Sequence, residues 1–165
     1  MKKTFLLLSF MTFLFISCEG DPGPPGPPGA DGLLGQVFEV QVDFTAANNY
    51  EFLVEFPSNI EVFDTDVVVA YILDEVDNGI DIWEPLPQTL FFGSDILLYG
   101  YDHTFFDINF FLDGTVDPSG LDPIYTDGVI FRVAVIPADF AKNMDLTHIE
   151  QVMNTLKIEQ VQKIN

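Results

Sequence analysis

In the stretch Val37-Phe38-Glu39-Val40-Gln41-Val42-Asp43-Phe44-Thr45, apolar and polar side chains alternate strictly from Phe38 onward. Successive side chains of a β-strand point to opposite faces, so this period of two predicts a strand rather than a helix. The aromatic and branched side chains would then share one face, and the acids and Gln41 the other. We expect the apolar face to line a core.

The same period recurs downstream and indicates an all-β domain. Residues 50–56 repeat it after the turn-forming residues 46–49, so these two strands are predicted to form a hairpin. Residues 66–73 and 128–136 are apolar on both faces, which is typical of central strands covered by two layers. Further short strands are expected at 80–83, 88–92, 96–101 and 104–112, and Asp77-Asn78-Gly79 is a hairpin-turn signal. This spacing favours a sandwich or a barrel, and we predict an antiparallel β-sandwich of about eight strands.

The C-terminal region departs from the period of two. Residues 138–142 could form one helical turn, and the spacing of Ile149, Val152, Met153 and Leu156 predicts a helix. Thr147 and Glu150 fit a capping box at its start. We expect this C-terminal helix to pack on one sheet or to close one end.

The N-terminus has the features of an export signal. Lys2 and Lys3 precede an apolar run over residues 5–16, which is too short to cross a bilayer but suits a secretory signal. The run ends in Phe15-Ile16-Ser17-Cys18, which resembles the bacterial lipobox, with Phe15 in place of the usual leucine. The resemblance implies that residues 1–17 are a lipoprotein signal peptide and that Cys18 carries the lipid. The alternative is an ordinary secretory signal cut elsewhere, which leaves Cys18 as a free thiol.

Residues 18–35 carry a glycine at every third position. Strict repetition of this kind is the steric signature of a collagen triple helix, because only glycine fits on its axis, and proline presets the backbone angles it needs. The glycines are Gly20, Gly23, Gly26, Gly29, Gly32 and Gly35. Five triplets are few for a trimer, so the segment is predicted to be a semi-rigid polyproline-type stalk, with a homotrimer as the alternative.

The net charge of the chain excludes some classes of binding partner. The signal peptide holds two of the six basic residues, so residues 18–165 carry four basic residues against 26 acidic ones, a formal charge of −22. A surface of this sign argues against nucleic acid and anionic lipid as partners. It favours cations, basic partners or simple solubility. Residues 36–165 are rich enough in apolar side chains to form one acidic folded domain.

Motifs for catalysis are absent from the sequence. It contains no Gly-x-Ser-x-Gly elbow, no Gly-x-Gly-x-x-Gly, no strand–helix alternation and no redox cysteine pair. We therefore exclude a flavin or nicotinamide oxidoreductase, dihydrolipoamide dehydrogenase included, and predict that the protein is not an enzyme. A carboxylate-dependent hydrolase is the least favoured alternative, since the many acids single out no pair. His103 and His148 are predicted to be surface or capping residues rather than metal ligands.

No cofactor is expected, and calcium is the one ion that deserves a hypothesis. Asp74, Asp77 and Asp81 place oxygen ligands in one loop, and a second acidic stretch runs from Asp113 to Asp127. Neither has EF-hand spacing, and aspartate is also common in tight turns.

The domain contains more aromatic side chains than one face of a sheet can bury. We expect most of them in the core, with a sugar or peptide platform or a subunit interface as the alternative use. They are Trp83, Tyr99, Tyr101, Tyr125, Phe91-Phe92 and Phe105-Phe106.

The chain resembles short collagen-like lipoproteins of Bacteroidota in four features. They are the lipobox cysteine, the Gly-Pro-Pro repeats, Gly35-Gln-Val-Phe-Glu-Val40 and Leu86-Pro-Gln-Thr89. The resemblance implies a bacterial cell-envelope protein that is lipid-anchored, in the outer membrane, through Cys18. It transfers no other functional residue. The expected function is non-enzymatic, namely presentation of an acidic β-sandwich for binding an extracellular ligand or for surface structure. The alternative is a calcium- or carbohydrate-binding envelope module, with Trp83 and nearby acids at its site.

Overall fold

The computed structural model describes residues 35–164. The predicted signal peptide, Cys18 and the glycines from Gly20 to Gly32 lie outside the described residues. The strands of the described range are β1 (Gln36–Val42), β2 (Glu51–Glu55), β3 (Val67–Asp77), β4 (Ile80–Pro85), β5 (Gln88–Phe92), β6 (Asp95–His103), β7 (Asp107–Gly114), β8 (Val129–Ile136) and β9 (Gln162–Ile164). The helices are α1 (Ala138–Ala141) and α2 (Ile149–Leu156), with short 3-10 helices at Ala46–Asn48, Pro118–Gly120 and Pro123–Tyr125.

These strands form two sheets, which confirms the predicted all-β sandwich. The five-stranded sheet has the order β4-β3-β8-β1-β9, and the four-stranded sheet has the order β2-β7-β6-β5. Neighbours are antiparallel except β9, which runs parallel to β1. β9 was not predicted from the sequence.

The main core lies between the two sheets. Phe38, Val40 and Val42 of β1 point into it, as their alternation predicts, and are at most 2% exposed. Phe131 of β8 stacks on Phe110 of β7 with ring centroids 4.2 Å apart, and so joins the centres of the two sheets. Burial of these apolar side chains is the main force that holds the sheets together.

A second apolar cluster lies on the outer face of the five-stranded sheet. Helix α2 buries one stripe of side chains there against residues of β3, β4 and β8. The stripe is Ile149, Val152 and Leu156. β3 and β8 are therefore covered on both faces, which confirms the prediction that the two apolar strands are central.

The predicted hairpin between the first two strands is wrong. β1 pairs with β8 and β9, whereas β2 pairs with β7 in the other sheet. The connection is a 3-10 helix capped by Thr45, followed by left-handed backbone at Asn49 (φ 54°) and Tyr50 (φ 57°). This turn carries the chain across the core instead of back alongside β1. Both strands keep one apolar face because each faces the same core from opposite sides.

Three further local predictions concern a turn, a helix and its cap, and only the cap is wrong. β3 and β4 form a hairpin in which Asp77 pairs with Ile80, and Asn78 and Gly79 adopt φ values of 51° and 84°. Asn-Gly favours these positive angles, so this turn is confirmed. The predicted α2 helix is confirmed, but its capping box is wrong. The helix begins after His148, and the Thr147 hydroxyl donates to Asp145 at 2.6 Å.

Gly35 contacts the sandwich itself. A Cβ atom at this position would overlap the Leu156 side chain, which is 2% exposed on α2. The last glycine of the repeat therefore allows close packing of α2, whatever its role in the stalk.

Gly35→Ala is expected to destabilise the sandwich by about 1–3 kcal/mol, because Leu156 has little room to move away. Urea unfolding would measure the change. Gly120→Ala is the matched control, since a Cβ there meets open space, and it should leave the unfolding free energy nearly unchanged. Equal effects of the two substitutions would contradict this account of Gly35.

Candidate functional site

A charged cluster centred on the buried Glu39 lies on the outer face of the five-stranded sheet, beside the area that α2 covers. Glu39 on β1 is directly opposite Arg132 on β8. The Arg132 Nε and Nη2 atoms donate to Glu39 Oε1 at 3.1 and 2.5 Å, and Lys163 Nζ lies 2.9 Å from Oε2. The guanidinium carbon lies 4.0 Å from the centre of the Trp83 ring. The cluster thus ties together β1, β4, β8 and β9.

Electrostatics keeps Glu39 ionised. Burial by itself would raise its pKa, but the hydrogen bonds and charges of Lys163 and Arg132 outweigh burial and hold the pKa below its usual value of 4.5. A carboxylate with this pKa, and with both oxygens engaged, is a poor proton donor at neutral pH. We therefore assign the cluster a structural role.

A cleft of about 290 Å³ opens between the two sheets, where the start of β8 lies beside the middle of β3. Asp74 and Asp127 both line it, together with Leu90 and Tyr125. The Tyr99 hydroxyl donates to the Tyr125 carbonyl oxygen at 2.8 Å and fixes one wall. Burial raises the pKa of Tyr99, so this hydroxyl remains a donor at all ordinary pH values.

The cleft brings together one carboxylate from each acidic stretch singled out in the sequence. The other two calcium candidates, Asp77 and Asp81, do not line the cleft. Asp77 accepts a hydrogen bond from Asn78 in the β3–β4 turn, and Asp81 lies 4.0 Å from Arg132 Nη2. Within residues 35–164, no group of three or more histidine, cysteine or acidic side chains is placed to hold a metal ion. Calcium binding by Asp74, Asp77 and Asp81 stays a prediction.

The aromatic residues are divided between the core and the surface. Trp83 is 8% exposed beneath Arg132, so its ring is not open as a binding platform. Tyr99 is 3% exposed in the main core. Of the two phenylalanine pairs singled out in the sequence, three members are exposed, namely Phe91 (78%), Phe105 (51%) and Phe106 (76%).

The outer face of the four-stranded sheet combines apolar and acidic side chains. Because the core-facing residues alternate with outward ones, this face presents five apolar side chains, which are Leu53, Phe91, Ile96, Leu98 and Phe111. Four exposed carboxylates lie among or beside them, which are Glu51, Glu55, Asp102 and Asp113. We call this surface the acid–apolar face. No described segment covers it, whereas α2 covers the opposite side of the sandwich.

The acid–apolar face was only partly visible in the sequence. Its signal in the sequence is the Phe91-Phe92 pair, because neighbouring residues of a strand face opposite ways and one of the two rings must point away from the core. The signal for the Glu39 cluster was the only arginine of the chain, Arg132, within an otherwise apolar strand.

Among the described residues, no helix is long and apolar enough to cross a bilayer. The chain matches no family model, no curated protein and no solved structure.

Proposed function

We propose that the protein is a non-enzymatic lipoprotein of the bacterial cell envelope, which holds an acidic β-sandwich away from the membrane to bind a partner there. The observation that carries the binding role is the acid–apolar face. One side of the sandwich is closed by α2, while the other leaves large apolar side chains open to solvent, with Leu53 61% and Phe91 78% exposed. Exposed apolar patches on soluble domains often mark interaction surfaces.

The lipid at Cys18 supplies the anchor in this proposal. Ser17 and Cys18 match the small residue and the cysteine of the lipobox. Two or more acyl chains hold a protein stably on a membrane, whereas one chain binds only marginally. Cleavage before Cys18 would also remove the apolar run of residues 5–16, so that the acyl chains become the membrane attachment.

The Gly-X-Y segment acts as the stalk. A polyproline-type backbone rises about 3.1 Å per residue, so residues 18–35 would span about 50 Å. The stalk leads directly into β1, which is hydrogen-bonded to β8 on one side and β9 on the other. A strand held on both sides suits a point of attachment. A homotrimer through the repeat is the alternative form of the stalk.

Replacement of the lipidation residue tests the anchor. In bacterial cells supplied with an alkyne-labelled fatty acid, the wild-type protein should incorporate label, and Cys18→Ala should lose it because the acyl acceptor is gone. Mass spectrometry of the N-terminal peptide should place the acyl groups on Cys18. Ser17→Ala is the matched control, since alanine keeps the small residue before the cysteine and should preserve labelling. Label retained by Cys18→Ala would contradict the proposal.

A further inference from the structure

The acid–apolar face has a definite arrangement of side chains. Glu51 and Gly100 both pair with Phe111, so Phe111 lies at the middle of the sheet. Its ring covers Gly100, where any Cβ atom would overlap it. Leu53 lies on β2 at one edge, and Phe91 pairs with Ile96 at the other. The apolar side chains therefore run obliquely across all four strands, a width of about 15 Å.

Charge on this face has one sign. None of the residues in β2, β5, β6 and β7 is lysine or arginine. Every basic residue of the described range lies elsewhere, and these residues are Arg132, Lys142, Lys157 and Lys163. The face therefore pairs open apolar side chains with uncompensated carboxylates.

The combination of apolar side chains and carboxylates on this face determines which kind of partner can bind to it. A neutral apolar partner would bury carboxylates without compensation, which is unfavourable. A second copy of this chain would bring like charges together, since each copy carries a formal charge of −22 after removal of the signal peptide. A basic segment with interspersed apolar side chains satisfies both features at once.

We propose that the acid–apolar face binds a basic amphipathic segment of a partner protein, with the partner's apolar side chains on Leu53, Phe111 and Phe91 and its lysines or arginines on the flanking carboxylates. This inference rests on the proposed binding function and names its surface and its class of partner. It does not depend on the lipid at Cys18.

A defined peptide tests the proposal. The probe is a labelled eight-residue peptide of alternating lysine and leucine, and the target is the full chain in nanodiscs of zwitterionic lipid, with empty nanodiscs as the blank. Fluorescence anisotropy should show binding that weakens as salt rises, because the ion pairs are exposed and screened. Peptides of alternating lysine and serine, or glutamate and leucine, should bind much more weakly, since each lacks one half of the match.

Variants of exposed residues locate the site. Leu53→Ser and Phe91→Ser should each weaken binding about tenfold, from loss of apolar contact. Ile80→Ser is the matched control, because Ile80 is 69% exposed on β4 of the other sheet, and it should bind like the wild type. Glu51→Gln should weaken binding at low salt more than Glu159→Gln, which lies outside the face.

Four results would overturn the proposal. They are absence of peptide binding, an equal loss of peptide affinity in Ile80→Ser and Leu53→Ser, an affinity that salt does not change, and self-association of the protein that Leu53→Ser abolishes. The last would assign the face to a second copy. A chain that lacks the lipid but binds the peptide would overturn the proposed anchor alone, whereas a lipidated chain that fails to bind would overturn only this inference.

Discussion

Phe131→Ala is expected to lower the free energy of unfolding by about 3–5 kcal/mol. Phe131 is completely buried and stacks on Phe110 with the two ring planes 10° apart. Phe44 meets the same ring edge-on at a centroid distance of 6.1 Å. Alanine would remove these two contacts and a third with Tyr99, and it would leave a cavity between the centres of the two sheets. Strand β8 is paired on both sides, by β1 and β3, so the backbone has little freedom to collapse into that cavity.

Urea unfolding monitored by far-UV circular dichroism would measure this loss. Phe91→Ala is the matched control, since it deletes the same ring from a position that is 78% exposed, and its effect should be close to zero. A loss below about 1 kcal/mol in Phe131→Ala would show that the two sheets do not pack through this ring as described.

Glu39→Gln is expected to destabilise the protein by about 3 kcal/mol. The substitution keeps the size of the side chain but leaves the Arg132 guanidinium, whose side chain is 11% exposed, without its carboxylate partner. Asp81 lies 4.0 Å from Arg132 and is too exposed to replace that partner. Lys163 is 77% exposed, so Lys163→Ala should lower the free energy of unfolding by less than about 1 kcal/mol. Comparison of the two variants distinguishes the contribution of the Arg132–Glu39 pair from that of the Lys163–Glu39 pair.

The pH dependence of stability checks the same pair independently. The pKa of Glu39 is lower in the folded protein than its ordinary value of 4.5, because its pairing with Lys163 and Arg132 outweighs burial. Its contribution is therefore complete at neutral pH and is lost as the pH falls below about 4.5 and through the folded pKa. Glu39→Gln should flatten the stability curve in that acidic range. A curve parallel to that of the wild type would contradict the assignment.

The sequence predicted those parts of the fold that depend only on residues close together in the chain. Asn78-Gly79 accepts positive φ at both positions, and the apolar faces of β3 and β8 require cover on both sides. Alternation, by contrast, reports which face of a strand is buried and says nothing about its partner. The strands β1 and β2 alternate well and still belong to different sheets.

Long-range contacts explain most of what the sequence did not show. Glu39 and Arg132 are 93 residues apart, and their pairing follows from a register that only the folded sheet defines. β9 has three residues, two of them polar, which is too short a signal for a strand. The acid–apolar face arises because outward residues of four strands meet, although each strand contributes only one or two apolar side chains to it.

The place of β9 beside β1 has a consequence for the order of folding. Ribosomal synthesis delivers β1 first, but its neighbours in the sheet are β8 and β9, which are delivered last. Such a topology has a high contact order and folds slowly, because long loops must close before the pairing forms. Until residue 164 has emerged, the apolar side chains of β1 lack their final cover. The pairing of β1 is therefore complete only after β9 has been synthesised, and until then its exposed apolar side chains favour association with other chains.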